Sequence, residues 1–477
     1  MGIRGLQQPT SIVPLVVFRV MFGVLMLVST LRFILNGWVQ TFYIDPVFHF
    51  TFYGFEWVKP LPEWGMATVF ALLLLTSLMI AVGAYYRVAI SAFFLVFSYV
   101  ELIDKAYYLN HYYLVMCLSF LLILLPAHRA WSVDVWRNPS LRTYSVPRWT
   151  IASIKFMLAI VYIYAGLAKL QSDWLFHAQP ITIWLRPHAE FPILGDAFFS
   201  QRWFAFAISW FGAAYDLMIV FFLLWRRTRW LAFGAVIVFH LATGFFFPIG
   251  MFPYVMVGCA LIFFEMEDWG KLAHIFRLRK TNDFADGMNA VLTQTTPQVG
   301  ITFIQSVVER RPDAGSHGRG KPLPLQKPSR FIVGILLFFF AFQLLFPLRF
   351  MMYPDNVLWM QEGFRFGWRV MLAENTGSAI FTVRDATSRH SIEVYPSHYL
   401  TLTQERQMSF QPDMILEFAH FLAEQARQEG IAQPQVFAEV YASVNGRRSQ
   451  LLIDPNVNLA AQASSLLPKS WILPLTQ

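Results

Sequence analysis

Lys169 closes the apolar stretch YIYAGLAKLQSDW (162–174), and an amine in that position can do chemistry. A lysine withdrawn from water loses the hydration that favours its ammonium form, and the neutral amine is a general base. Four more polar residues stand in similarly apolar surroundings: Asn110 and His111 in LIDKAYYLNHYYLVM, Asp216 in GAAYDLMIV, and His240 in FHLATGFFFPIG. Imidazole and carboxamide groups supply donors that can hold an anionic oxygen or a carbanion. Each residue also has a plainer reading. Lys169 can be a snorkelling anchor, His111 an interfacial polar residue and His240 a helix-packing hydrogen bonder. Asp216 resists such a reading most, because an acid at mid-membrane is the hardest to tolerate. Asp104 and Lys105 read as a solvated loop pair.

The elements that must position these groups are membrane helices. The chain has 477 residues, of which 56% are hydrophobic, 17% aromatic and only 14% charged, a composition that requires a bilayer as solvent for most of it. Apolar runs at 14–35, 66–84, 88–103, 111–126, 151–169, 205–224, 230–247, 249–264 and 331–349 predict about nine crossings. The first is long and no small-residue cleavage site follows, so it reads as a helix and not a removed signal. The net charge of +8 collects in particular loops, among them Arg129, Arg137, Arg142 and Arg148 and the trio Arg226, Arg227 and Arg229. That asymmetry predicts a cytoplasmic N-terminus with residues 350–477 outside, and no basic and aromatic stripe of the nucleic-acid type appears. On this topology Lys169, Asn110, His111, His240 and Asp216 converge in the outer half of the bilayer. The pocket they form is walled by Phe, Tyr and Trp and suits a lipid-soluble ligand.

Both cysteines, Cys117 and Cys259, lie in apolar runs, which excludes a disulfide framework or a cysteine-based zinc site. No metal-ligand spacing, phosphate-binding loop or nucleophile elbow occurs. Residues 1–269 form the transmembrane bundle of the first eight helices, 270–330 a flexible cytoplasmic connector, 331–349 the last helix, and 350–477 an extracytoplasmic α+β domain. The fold expected is therefore a polytopic α-helical membrane protein with a C-terminal extracytoplasmic α+β domain. In that domain SAIFTVRD and HSIEVYP alternate as strands, 411–429 has helical spacing, and QVFAEVYASVNGRRSQLLIDP is a hairpin around Asn445-Gly446.

At these residues the sequence resembles the vitamin K-dependent gamma-glutamyl carboxylases. The resemblance rests on LIDKAYYLNHYYL, WSVD (131–134), IVYIYAGLAKLQSDW, FHLATGFFFPIGMFPYVM, PQVFAEVYASVNGR and DPNV, in order along nearly the whole chain. It implies a lysine amine that deprotonates a reduced naphthoquinone. The quinone anion then reacts with dioxygen to give an alkoxide able to remove the γ-proton of a glutamate, and the carbanion adds carbon dioxide. By resemblance Lys169 is the base, with His111 and His240 as further catalytic groups. Asn110, Asp216 and Trp174 contact the quinone, Arg447 contacts the substrate, and Gly166 and Ala168 leave room for a planar ring. The cofactor implied is reduced vitamin K or menaquinol, with dioxygen and carbon dioxide as co-substrates and no metal. The partners implied are the lipid bilayer, the naphthoquinone and a glutamate-containing peptide or protein, with no nucleic acid.

Three departures from the vertebrate pattern stand out. Ala373 replaces a histidine, no lumenal cysteine pair exists, and no glycosylation sequon occurs outside. These favour a bacterial inner membrane. Two other readings stay open: a quinone epoxidase without peptide carboxylation, and a non-catalytic membrane scaffold of the same fold.

Overall fold

The structure, a computed structural model, describes residues 3–188, 190, 195–247, 249–269, 329–387 and 390–476. Most of the expected connector at 270–330 lies outside the described residues. Among the described residues, seven helices are long and apolar enough to span a membrane: α1 (Val13–Leu35), α2 (Glu63–Val82), α3 (Tyr86–Ile103), α5 (Arg148–Ala168), α6 (Arg202–Leu224), α7 (Arg229–Phe246) and α9 (Arg330–Leu345, with its apolar span continuing to Met352). Two shorter apolar helices, α4 (Asn110–Leu124) and α8 (Phe252–Ala260, prolonged by a turn to Phe263), complete the bundle. Apolar side chains face both the interior and the lipid, so the helices lack a polar face and need a bundle in hydrocarbon to be stable.

One end of the bundle is closed by a clasp around the WSVD tetrapeptide. Asp134 caps α3, its carboxylate accepting from the amides of Tyr85 (2.7 Å) and Tyr86 (2.9 Å), while Ser132 caps its own short helix by accepting from Val135 N. Arg19, fully buried on α1, donates to the carbonyls of Ala127 (3.0 Å), Ala130 (3.2 Å) and Trp131 (2.6 Å). The charge is thus stabilised by peptide dipoles and the loop 127–131 is fixed.

At the other end sits the C-terminal domain. Its sheet has the order β2-β1-β3-β4, all antiparallel, with β1 at Asn375–Asp385, β2 at Ser391–Val394, β3 at Pro434–Val444 and β4 at Gln450–Leu451. Val436, Ala438, Val440, Ala442 and Val444 alternate inward along β3 and meet helix α11 (Pro412–Gln428) through Met414, Ile415, Phe418 and Leu422. Each large side chain so buried contributes roughly 1.5–3 kcal/mol. This core is continuous with Trp174, Ile181, Leu185, Ala205 and Ala213 of the bundle, so the domain is docked and not tethered.

Asp104 and Lys105, expected as a solvated loop pair, are instead buried in that joint. Lys105 Nζ lies 2.9 Å from both Asp413 and Glu417 of α11, and Asp104 accepts from Gln404 Nε2 at 2.7 Å. Gln404 belongs to helix α10 (Leu402–Met408). A loop rule based on sequence position could not anticipate a domain folding back onto the loop.

Candidate functional site

Lys169 caps the C-terminus of α5, and its Nζ is 5.2 Å from the centroid of the Trp174 ring. It donates to Asp216 Oδ2 on α6 (2.8 Å), to its own helix at Ala165 O (3.3 Å) and to Val370 O (3.2 Å), which belongs to the irregular segment leading into the C-terminal domain. Lys169 and Asp216 are both buried, at 5% and 6% exposure, so each charge is compensated by the other and by peptide dipoles. Three acceptors match the three N–H donors of an ammonium.

The pair meets because α5 and α6 approach closely at Gly166. A Cβ there would stand 2.7 Å from Leu217 Cγ and 2.9 Å from its backbone N. This corrects the expectation that Gly166 leaves room for a ring: the space is filled by Leu217, and the glycine brings two helices together. Gly212 is the glycine that lines the cavity, opposite the Trp174 ring.

The cavity, of about 70 Å³, is lined by Tyr162, Lys169, Trp174, Trp184, Asp216, Phe239, His240, Phe252, Val370 and Met371, among others. His240 is 1% exposed, its Nε2 is 3.1 Å from the Tyr162 hydroxyl, and its Nδ1 is buried without a protein partner. Tyr162 was not anticipated. It lies two turns before Lys169 on the same face of α5, which is a legible signal, whereas the contribution of the Val370 carbonyl has none. Trp174 is locked by Nε1 donating to Ser209 O at 2.6 Å.

Asn110 and His111 are neighbours of the cavity but do not line it. Asn110 Nδ2 donates to Arg369 O (3.1 Å) and its Oδ1 accepts from Tyr108 (3.1 Å), so its amide holds the segment that carries Val370. The His111 ring lies tilted against Phe252 with centroids 5.9 Å apart, and Phe252 in turn lies 5.4 Å from the His240 ring. His111 Nε2 is also buried without a protein partner.

Arg447 does not line the cavity; it is bonded to Asp173, the neighbour of Trp174 in sequence. The turn at Asn445 (φ 52°) and Gly446 (φ 76°) has left-handed conformation at both residues and is closed by Arg447 N donating to Val444 O, as the Asn-Gly pair predicts. Pairing resumes only at Ala442 with Gln450, one residue late for a two-residue turn, so the return strand bulges and releases Arg447. Its guanidinium grips Asp173 with two bonds of 2.7 and 2.6 Å, and Asn445 Nδ2 adds a third at 2.7 Å. Burial pushes the Asp173 carboxyl up, but Arg447 and Asn445 outweigh it and hold it below the usual carboxylate range. The hairpin therefore pins the residue next to Trp174.

Residues 7–269 match the family model described as the HTTM domain, and residues 328–477 match that of the vitamin K-dependent gamma-carboxylase lumenal domain. The chain belongs to the vitamin K-dependent gamma-carboxylase family. No solved structure matches it. In this carboxylase-family chain the HTTM match covers the eight bundle helices that carry Lys169, Asp216 and His240, while the lumenal match covers α9, the 353–374 segment and the sheet. The cavity lies where the two regions meet. Its donor set fits a planar quinone: flat aromatic walls, a buried amine, and an imidazole nitrogen with no protein partner beside it. Among the described residues no cluster of three or more His, Cys, Asp or Glu has the geometry of a metal site.

Proposed function

We propose that this protein couples oxygenation of a reduced naphthoquinone, vitamin K hydroquinone or menaquinol, to γ-carboxylation of glutamate in a peptide. Dioxygen and carbon dioxide are co-substrates. The observation that carries the reading is the Lys169 amine held 2.8 Å from Asp216 inside an aromatic-walled cavity shared with His240. Bound there, the reduced quinone supplies an acidic hydroxyl and the electrons that reduce dioxygen. Trp174, Phe239 and Phe252 would hold its ring, and His240, whose Nδ1 has no protein partner, would serve the glutamate side of the same cavity. Lys169 takes the hydroxyl proton on Nζ, and Asp216 balances the ammonium that results. A neutral amine has two N–H groups and a lone pair, so one of the three present acceptors is released in the active state. Val370 is the acceptor on irregular backbone and the one able to move. The same movement enlarges a cavity that is small beside the roughly 300–1,000 Å³ usual for ligand sites. Asn110, bonded to Arg369, sets how far it moves.

A specific observation favours keeping the epoxidase reading as the second. Ala373, where vertebrate members have histidine, lines a separate polar pocket of about 240 Å³ with Lys105, Arg365, Glu374, Arg406 and Gln411. Glu374 ties the two pockets together by accepting from Trp184 Nε1 at 2.7 Å. On the resemblance, Ala373 removes a group near the glutamate, which supports this second reading. Basic loops orient the N-terminus to the cytoplasm and the C-terminal domain outward, in keeping with a bacterial inner membrane. The test is an assay of purified protein with reduced vitamin K, oxygen, labelled bicarbonate and a glutamate-containing peptide, reading epoxide and peptide label together. Both products are expected. Epoxide alone establishes the second reading, and neither product from folded protein overturns both in favour of a scaffold.

A further inference from the structure

The C-terminal domain carries an apolar tip that none of the chemistry uses. Leu466 and Leu467 are 64% and 72% exposed, in the sequence SSLLPKS, which has no acidic residue. The tip is rigidly held. Tyr353 donates its hydroxyl to Leu466 O at 2.8 Å, Lys469 pairs with Glu362 at 2.8 Å, and Trp359 Nε1 donates to Leu473 O at 2.8 Å. Tyr353 directly follows the apolar span Arg330–Met352, whose last residues Met351 and Met352 are 72% and 78% exposed. A side chain one residue beyond a membrane span lies at the bilayer edge, so the leucines bonded to it lie there too.

We infer that Leu466 and Leu467 insert into the lipid leaflet beneath the C-terminal domain, forming with Met351 and Met352 one continuous apolar contact with the bilayer. An exposed pair of leucines on a soluble domain is a docking feature when it has a matching medium. Here continuity with the spanning helix identifies the medium as lipid. The contact gives the domain a second foothold beside the Lys105 joint and fixes its tilt over the cavity.

The test uses the full chain in lipid nanodiscs. The buried Cys117 and Cys259 are replaced by alanine, and a single environment-sensitive dye is attached at Leu467→Cys or, as a control, at Arg384→Cys on the exposed side of β1. The Leu467 label should be quenched at least about twofold more than the control by acyl-brominated lipid, and shielded from aqueous iodide. Quenching by iodide as strong as at Arg384 would overturn the inference. So would shielding from iodide without bromolipid quenching, which would assign the tip to a second copy or another protein. Leu466→Asp with Leu467→Asp, both at exposed positions, should leave thermal unfolding in detergent unchanged while raising iodide access to a label at Ser464→Cys severalfold in nanodiscs. No rise in iodide access would also sink it.

Discussion

Two buried lysines stand at the junction between bundle and C-terminal domain, and they are built for different ends. Lys105, 7% exposed, is held by two carboxylates, Asp413 and Glu417, both from the docked domain, and Arg365 shares Asp413. Lys169, 5% exposed, has one carboxylate from its own bundle and takes from the other region only a backbone carbonyl. The first arrangement has every charge matched across the joint, so its ammonium is a fastener. The second sets one amine against one carboxylate beside an aromatic cavity, so a proton taken up by the neutral amine leaves a net-neutral ammonium–carboxylate pair. Burial alone therefore does not mark a functional lysine; what decides is how many anions face it and whether space adjoins it.

The strongest way to break this contrast is Lys169→Ala. Per folded molecule, epoxide and carboxylated peptide should both fall at least about a thousandfold, in line with the upper range for loss of a general base, and stability should drop by about 2–3 kcal/mol because Asp216 loses its buried partner. Retained epoxide would remove Lys169 from the first step. Lys105→Met should cost stability alone. Removing the ammonium leaves Glu417 without a cation and Asp413 with Arg365 alone, and costs about 2–3 kcal/mol, tempered by their partial exposure. Turnover per folded molecule should remain near that of the parent protein; its collapse would show that the joint belongs to the catalytic machinery.

Gly166→Ala sharpens the contrast from the packing side. Its Cβ must displace Leu217, whose backbone N would be 2.9 Å away, so α5 and α6 separate and the Lys169–Asp216 bond lengthens. A loss of roughly 1–3 kcal/mol in stability is expected, together with a kcat deficit that Gly212→Ala, facing Trp174 at 3.6 Å, does not share. A parent-like kcat would restore the view that Gly166 only spares room. Smaller still is Tyr162→Phe, which removes the hydroxyl 3.1 Å from His240 Nε2. Carboxylation should drop roughly tenfold or less and epoxidation by less, because the hydroxyl positions His240, which is read as acting on the glutamate side. Equal losses of both products would place the dyad on the quinone and not on the glutamate.

Much of this was legible in the sequence because the bilayer enforces simple patterns. The nine apolar helices lie within a few residues of their expected bounds, and β1, β2, α11 and the Asn445-Gly446 turn fall where periodicity and turn chemistry put them. Charge in an apolar run likewise flagged Lys169, Asp216 and His240, which the structure gathers around one cavity. What the sequence hid depends on contacts between distant segments. Nothing local reveals that Gly166 faces Leu217, that Val370 lends its carbonyl to Lys169, or that Lys105 meets α11 more than three hundred residues away. Arg447 shows the same limit: the turn was readable, but its bonds to Asp173 required the docked domain.

The joint also predicts how the molecule responds to acid. Burial pushes Asp413 up, but Arg365 and then Lys105 outweigh it and hold its carboxyl well below the ordinary range; Asp173 is held low by Arg447 and Asn445 in the same sense. A carboxyl depressed in the folded state favours folding at every pH above its unfolded value of about 3.9, and that contribution fades as pH falls from there toward the folded value. Thermal unfolding should therefore be insensitive to these groups from neutrality down to about pH 5 and decline below about pH 4. In Asp413→Asn the decline should be shallower, because the group that binds the proton is gone. A decline of unchanged slope would assign the acid response to other carboxylates, and leave Lys105 as a fastener whose charge is matched by Glu417 alone.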